Sequence, residues 1–315
     1  MSHRVLAVGD VNIDLVLSGL SNIPCSEQEA LSTGFDVLVG GQTATFARTL
    51  TKLGEVVTFV GRIGDDEYGM KAFSALQADR VDTAGLIVDP DLKTGFTVVL
   101  STGYERAYAT YPGAIGEVHR EDVHNGFMRV CEHIHVGSYY LQRKLQPDLG
   151  DLFEEAQSLG VSTSLDPGWD PTGEWGREII EVLDHVDIFL PNETEALHVS
   201  QTDNIEAALE ILLQKASTVV IKCGLNGCLA GTRDNNIFSP GFEVEVVDVT
   251  SAGDAFNAGF IYAMLNDWRL EEAARFANAC GAIAVTKPGS SGILSNIQEV
   301  DDFIASHQSR SEVRV

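Results

Sequence analysis

Apolar residues along this chain fall into two rhythms that take turns. Short runs rich in Val, Ile and Leu, at Val5–Val8, Val56–Val60, His133–Val136, Val161–Leu165, Asp187–Leu190 and Val219–Cys223, predict strands. Stretches of helical period separate them: Thr43–Leu53, the segment after Tyr68, Leu149–Leu159, Trp175–Leu183 and Ile205–Gln214. Two long apolar helices close the series, at Ala255–Leu265 and Glu271–Val285. Strand followed by helix at this pace implies a parallel sheet covered on both faces. The expected fold is therefore α/β, a three-layer α/β/α sandwich around a mostly parallel central sheet.

Two stretches break the rhythm. The segments around 14–39 and 94–111 alternate apolar and polar side chains with no helix between. Thr94–Leu100, a turn at Gly103 and Glu105–Tyr111 read as a hairpin. These segments are expected to form a small antiparallel β sheet, either an edge extension or a lid that shields chemistry from water. No linker or internal repeat divides the chain, so 1–307 reads as one domain, and the polar tail 308–315 is expected to fray.

Charge narrows the partners. Among 315 residues, Lys plus Arg number 21 and Asp plus Glu 46, a formal charge of −25. Such a surface repels phosphodiester backbones and argues against nucleic acid. An anionic substrate stays open, because a local positive group or Mg²⁺ can outweigh the global field. The cysteines (Cys25, Cys131, Cys223, Cys228 and Cys280) are odd in number and lack C-x-x-C spacing. They read as reduced, mostly buried thiols rather than a disulfide framework or zinc site. No basic stretch leads into a signal-length apolar run, and none approaches the ~18 apolar residues of a membrane span. A cytoplasmic protein without a membrane partner is expected.

The stretch Val246–Phe260 carries the densest chemistry. Apolar strand residues give way to Thr250-Ser251-Ala252-Gly253-Asp254 and then to a long apolar helix. A helix opening there aims free backbone amides and its positive end at one spot. Small side chains let an anion approach those amides closely. Asp254 in the first turn could take the proton of a hydroxyl nucleophile beside a bound phosphate. From spacing alone it could equally be a helix cap.

Asp248-x-Thr250-x-Ala252-Gly253-Asp254-x-Phe256 resembles the C-terminal signature of the ribokinase-like (PfkB) carbohydrate kinases. That resemblance implies Asp254 as catalytic base, with Ser251, Ala252 and Gly253 forming an anion hole. It extends over nearly the whole chain. Gly9-Asp10-Val11-Asn12-Ile13-Asp14 is similar to the family's first strand, whose closing Asp binds sugar hydroxyls. Gly40-Gly41, Ala47, Leu53-Gly54 and the run Val60–Gly69 match the N-terminal signature. Asn192-Glu193-Thr194-Glu195 resembles the N-x-x-E motif that organises Mg²⁺ through water. Lys222-Cys223-Gly224-x-x-Gly227 and Ala277-Asn278-Ala279 fall where the family contacts ATP. Each has a plainer reading: Asn192 and Glu195 could be a helix N-cap pair, Gly40-Gly41 a simple turn, and Asn278 a polar packing residue.

The departures are informative. Ser251 stands where Gly is common, and its hydroxyl could bind a phosphate or crowd it. Thr45 stands where a substrate-binding Asn is frequent and Gln42 where Lys is, which weakens the case for ribose in its usual pose. Some members hold K⁺ at the positions of Asp248 and Thr250 with a loop like Pro288-Gly289-Ser290; here Ile293 replaces a small polar residue of that site.

The resemblance thus implies transfer of the ATP γ-phosphoryl group to a hydroxyl, expected to be primary, of a sugar or sugar derivative. Asp14, Gly40, Gly41, Thr45, Arg106 and Tyr108 would hold the acceptor. The aromatic run Tyr104–Tyr111 also admits a nucleoside acceptor, and Arg106 with Arg143 or Lys144 a phosphorylated or acidic one. A regulator that kept the fold and lost catalysis is a third reading. Walker A, protein-kinase and G-x-G-x-x-G dinucleotide signatures are absent from the sequence. His133 and His135 are expected to be half-buried strand positions rather than ligands. An exposed small sheet is an edge that needs protection, so a homodimer through it is expected.

Overall fold

Side chains along Arg4–Val8 alternate between two cores. Val5 and Ala7 join one apolar cluster, Leu6 and Val8 a second on the opposite face, and all four are buried. A strand flanked this way lies in the middle layer of a sandwich. The computed structural model describes residues 2–102, 105–287 and 293–311, with side chains to His307. The Gly103 turn, Tyr104 and the loop Pro288-Gly289-Ser290 fall outside the described residues.

In chain order the strands are β1 (Arg4–Val8), β2 (Asn12–Ser18), β3 (Gly34–Gly40), β4 (Val56–Gly64), β5 (Asp82–Asp89), β6 (Phe96–Ser101), β7 (Arg106–Tyr111), β8 (His133–Val136), β9 (Ser162–Leu165), β10 (Ile188–Phe189), β11 (Thr218–Lys222), β12 (Gly227–Thr232) and β13 (Asn236–Pro240). The helices are α1 (Gln42–Lys52), α2 (Glu67–Ala78), α3 (Asn125–Met128), α4 (Leu149–Ser158), α5 (Glu178–Val182), α6 (Glu193–Ser200), α7 (Ile205–Leu212), α8 (Ala252–Leu265), α9 (Leu270–Val285) and α10 (Ile297–Ser311).

Among the described residues the main sheet has nine strands, ordered β13-β12-β11-β10-β9-β8-β1-β4-β5. Pairing is parallel from β11 through β5, and antiparallel only where β12 and β13 fold back on the edge. The face carrying Val5 and Ala7 packs residues of α1, α2, α8 and α9; the other packs residues of α4, α5, α6 and α7. This is the three-layer α/β/α sandwich expected from the strand–helix rhythm. Helices α8 and α9 pack closely, because a Cβ added at Gly259 would stand 2.6 Å from Cys280 Sγ and 3.2 Å from Ala277 Cα.

The second sheet has the order β3-β2-β6-β7. Its two outer pairs are antiparallel, and a parallel β2–β6 pairing joins them at the centre.

Two local readings change. The helix expected at Trp175–Leu183 begins only at Glu178. Trp175 has φ 50, and its amide donates to the Asp170 carboxylate at 2.7 Å, so the chain turns there instead of winding. His133 and His135, expected half-buried, are 1% exposed and bonded to the Ser162 and Ser164 hydroxyls. Burial pushes both imidazoles down to about 3, so they stay neutral. Helix α10 runs to Ser311, and 312–315 fall outside the described residues.

Candidate active site

The parallel strands point their carboxyl ends at one rim, and the cleft lies there, as it does generally in open α/β sheets. It encloses about 1220 Å³, above the ~300–1,000 Å³ that a single small ligand needs. Residues following β1, β9, β10 and β11 form its floor, and Asn12, Asp14, Thr97 and Tyr108 of the small sheet form one wall. Strands β1 and β11 are four steps apart in the sheet. At ~4.8 Å per step, the groups at their ends are separated by roughly 19 Å.

At the β1 end, Asp10 fixes the start of α1. Its carboxylate accepts from the amides of Gln42 and Thr43, each at 3.0 Å, and from Thr43 Oγ1 at 2.8 Å. Asp14 lies beside Gly40, where an added Cβ would fall 2.2 Å from Asp14 Oδ2. Glycine at that place is what leaves room for the carboxylate. Asn12 Nδ2 donates to Asp14 Oδ1 at 3.0 Å, and Gly41 and buried Thr45 line the same end. Burial raises Asp14 to about 6, and nearby Asp10 and Asp248 push in the same direction against the Asn12 hydrogen bond.

At the centre is the N-terminus of α8. Ser251 is its cap residue, with φ 67 and no capping bond from its side chain. The amides of Gly253 and Asp254 lie in the first turn, where no intrahelical acceptor exists. Asp254 is 9% exposed on the cleft wall and makes no side-chain hydrogen bond among the described residues. Burial raises its pKa well above the usual carboxylate range, Asp166, Asp10 and Asp14 adding to the shift and Lys222 opposing it.

Lys222, expected on the nucleotide, is the hub of a buried polar network. Its Nζ donates to Asp166 Oδ2 at 2.7 Å and to Asn257 Oδ1 at 3.2 Å, while Asn257 Nδ2 donates to Asp166 Oδ2 at 2.6 Å. Burial by itself would raise Asp166; Lys222 and Asn257 outweigh it and hold that carboxylate low. Burial would also lower Lys222, yet Asp166 and Glu195 keep it firmly protonated. Asn192 and Glu195 form a reciprocal cap on α6, with Glu195 N donating to Asn192 Oδ1 at 2.9 Å and Asn192 N to Glu195 Oε2 at 2.8 Å. Burial, then Asp166, raise Glu195 to about 7.

At the β11 end, Gly227 has φ 106, and an added Cβ would fall 2.0 Å from Ser239 O. Only glycine lets the chain turn there beneath the cleft. Gly224 lines the same turn. Asn278, also at the wall, donates to Ser239 Oγ at 3.0 Å and Ser239 O at 3.1 Å. Asp166 and Asn257 were missed in the sequence, as was Asp10 as an anchor; nothing in their local spacing marks them. Arg106 lies on Asp248 and Thr250, at 2.5 and 2.6 Å. Tyr108 lines the wall and is largely exposed, whereas Arg143 and Lys144 are exposed and do not line the cleft.

The pattern of the pfkB family carbohydrate kinases matches residues 2–296. This chain belongs to that family. It is a carbohydrate kinase that uses ATP. Fructokinase-2 of Zea mays is 30% identical over 325 residues, covering 96% of this chain and 95% of its own. An E. coli chain solved with ATP and Mg²⁺, provisionally named ribokinase II, is 25% identical and superposes with a TM-score of 0.86. That match covers 98% of this chain and 100% of the other. The ribokinase of Thermotoga maritima is 25% identical with a TM-score of 0.82, over 97% and 100% of the two chains. The kinase's relatives are fructokinases and ribokinases, so a nucleoside acceptor is not favoured, and neither is a fold without catalysis.

Proposed function

We propose that this kinase phosphorylates a hydroxyl, primary by preference, of a free ketohexose such as fructose, with Asp254 as general base. The observation that carries the reading is a buried carboxylate, hydrogen-bond-free among the described residues, beside the Gly253 and Asp254 amides in the first turn of α8, midway along one long cleft. The choice of sugar rests on the fructokinase relative.

In this reading Asp14 accepts from sugar hydroxyls, Gly40 and Gly41 let the sugar lie close to the backbone, and Thr45 and Tyr108 fill the pocket around it. ATP lies towards Gly224, Gly227 and Asn278. As the acceptor oxygen bonds to the γ-phosphorus, the bond to the ADP oxygen breaks and the hydroxyl proton passes to Asp254. The amides of Ala252 and Gly253, with that of Ser251, stabilise charge on the transferring group, and Lys222 supplies a fixed positive charge next to them. Asn192 and Glu195 line the cleft and carry the oxygen donors that a hydrated divalent cation takes. Asn192 and Glu195 would hold Mg²⁺ through water, where it neutralises phosphate charge. Burial keeps Asp254 basic enough to act near neutral pH.

ADP release from ATP·Mg²⁺ would be followed against fructose, ribose, other sugars, sugar phosphates and nucleosides, with wild type and Asp254→Asn side by side. Loss of about 10²–10⁴-fold in turnover is expected for the variant; near-normal turnover would sink the role given to Asp254.

A homodimer through the small sheet belongs to the same reading. Its edge strands carry exposed Phe35 on β3 and exposed Tyr111 on β7, which pairing would cover. A monomeric mass by light scattering at micromolar concentration would refute it. An ATP-dependent kinase needs an ATP pool, which the cytoplasm supplies, and cytoplasmic residence is part of the proposal. No helix among the described residues is long and apolar enough to cross a membrane.

A further inference from the structure

The turn Asp248–Ser251 delivers the chain into α8 and so aims the anion-hole amides, and the valines in and before it are left half-exposed among the described residues. Val246, Val247 and Val249 are 41%, 56% and 52% exposed. Ser251 sits at φ 67 without a capping bond of its own, and the Ala252 amide reaches Val249 O only at 3.4 Å. Among the described residues two ties hold the turn. The amides of Val247 and Asp248 donate to Val285 O at 2.8 and 3.1 Å, and the Asp248 carboxylate accepts from the Thr250 amide at 2.7 Å.

Arg106 completes the second tie. Its Nη2 donates to the same Asp248 oxygen at 2.5 Å and its Nη1 to Thr250 Oγ1 at 2.6 Å. Both members of the ion pair are largely shielded, at 16% and 13% exposure. One guanidinium therefore bridges the two side chains where the family resemblance would put K⁺. Ile293, the other described position of that cation site, offers an apolar side chain. The described residues do not fit a monovalent ion there, because the Arg106 guanidinium already stands on Asp248 and Thr250. Arg106 opens β7, the edge strand of the small sheet, and is 142 residues away in sequence from Asp248.

We infer that Arg106 is a positioning residue: it replaces a monovalent cation as the clamp on the Asp248–Ser251 turn and ties the anion hole to the small sheet. The inference rests on the phosphoryl-transfer reading of this cleft. With the small sheet in place over the acceptor, the guanidinium reaches the turn and the amides keep their aim. With the sheet drawn away, the turn loses the Arg106 tie, so an anion hole without an acceptor is slack and ATP is spared from water.

Three measurements test this. First, thermal unfolding of wild type in K⁺, Na⁺ and choline chloride at equal ionic strength should show no K⁺-specific stabilisation. This readout needs no catalysis, so it judges the inference even if no sugar proves active; a K⁺-specific rise in Tm would overturn it. Second, with whichever sugar supports turnover, Arg106→Ala should lose about 10–100-fold in kcat with KM for the sugar changed less than 3-fold, as expected for a lost positioning contact. Arg106→Lys, which keeps the charge and the fold, should retain most of kcat. A raised sugar KM with kcat intact would make Arg106 an acceptor-binding residue and overturn the clamp. Third, millimolar guanidinium should restore part of the Arg106→Ala rate and leave wild type unchanged. A wild type silent on every sugar speaks against the reaction assignment alone, whereas an active wild type with K⁺-dependent turnover speaks against the clamp alone.

Discussion

Lys222 Nζ stands 2.7 Å from Asp166 Oδ2 in the floor of the cleft, with the ammonium 12% and the carboxylate 2% exposed. Removing one member of such a pair leaves an uncompensated buried charge, which is far costlier than losing an exposed ion pair. Lys222→Met should lower stability by about 3 kcal/mol, read as a fall in the midpoint of urea unfolding. Asp166→Asn keeps the hydrogen-bonding shape and should cost less. Equal effects would mean that geometry, not charge, holds the floor together.

Asp14 makes the opposite prediction. Its carboxyl is raised to about 6 when folded, so the native state binds a proton more tightly than the unfolded chain. Stability from this group is therefore gained as pH falls through 6 towards the ordinary carboxylate value, and is missing above 6. Asp14→Asn should stabilise the protein at pH 7.5 by on the order of 2 kcal/mol, while weakening sugar binding at least 10-fold. Differential scanning calorimetry and sugar titration measure the two effects on one sample. Stability unchanged at pH 7.5 would show that the strain of burial is relieved by other means.

The pH dependence of kcat/KM should carry the mark of Asp254. A base must be deprotonated, and burial with Asp166 nearby raises this one well above the usual carboxylate range. Activity should therefore fall on the acid side at a pH distinctly above 4, on a limb that moves little when Glu195→Gln is introduced. If the limb followed Glu195 instead, that group and not Asp254 would be the one titrating in the free enzyme.

Ser251 holds a left-handed backbone at φ 67, which costs an L-residue roughly 1–2 kcal/mol. Glycine relieves that strain but frees the unfolded chain by roughly 0.4–1 kcal/mol. Ser251→Gly should thus stabilise by about 0.5 kcal/mol, visible as a small rise in Tm. Its turnover decides the hydroxyl's role: an unchanged kcat assigns none, and a fall of 5-fold or more makes the hydroxyl a phosphate ligand.

The layered fold was legible because β1 and β11 alternate between two cores and α8 and α9 carry long apolar runs. Strands β12 and β13 were not, because Gly227–Pro240 mixes exposed and buried positions on an edge. The same division runs through the site. Asp14, Asn192, Glu195 and Asp254 lie in short motifs that resemblance finds. Asp166, Asn257 and the Arg106 clamp do not, since their partners are 56, 35 and 142 residues away in sequence. Such pairs exist only once the chain has closed on itself. Ser251, noted as a departure from the family's glycine, turned out to mark a backbone angle.

The tight seam at Gly259 has a reach beyond packing. With Cys280 pressed against it, α8 cannot recoil from α9, so Asp254 sits on the fixed jaw of a vice, and in the proposed reading the small sheet is the jaw that travels. Acceptor preference can then drift by redrawing the travelling jaw, residue by residue, without the base ever having to be re-aimed.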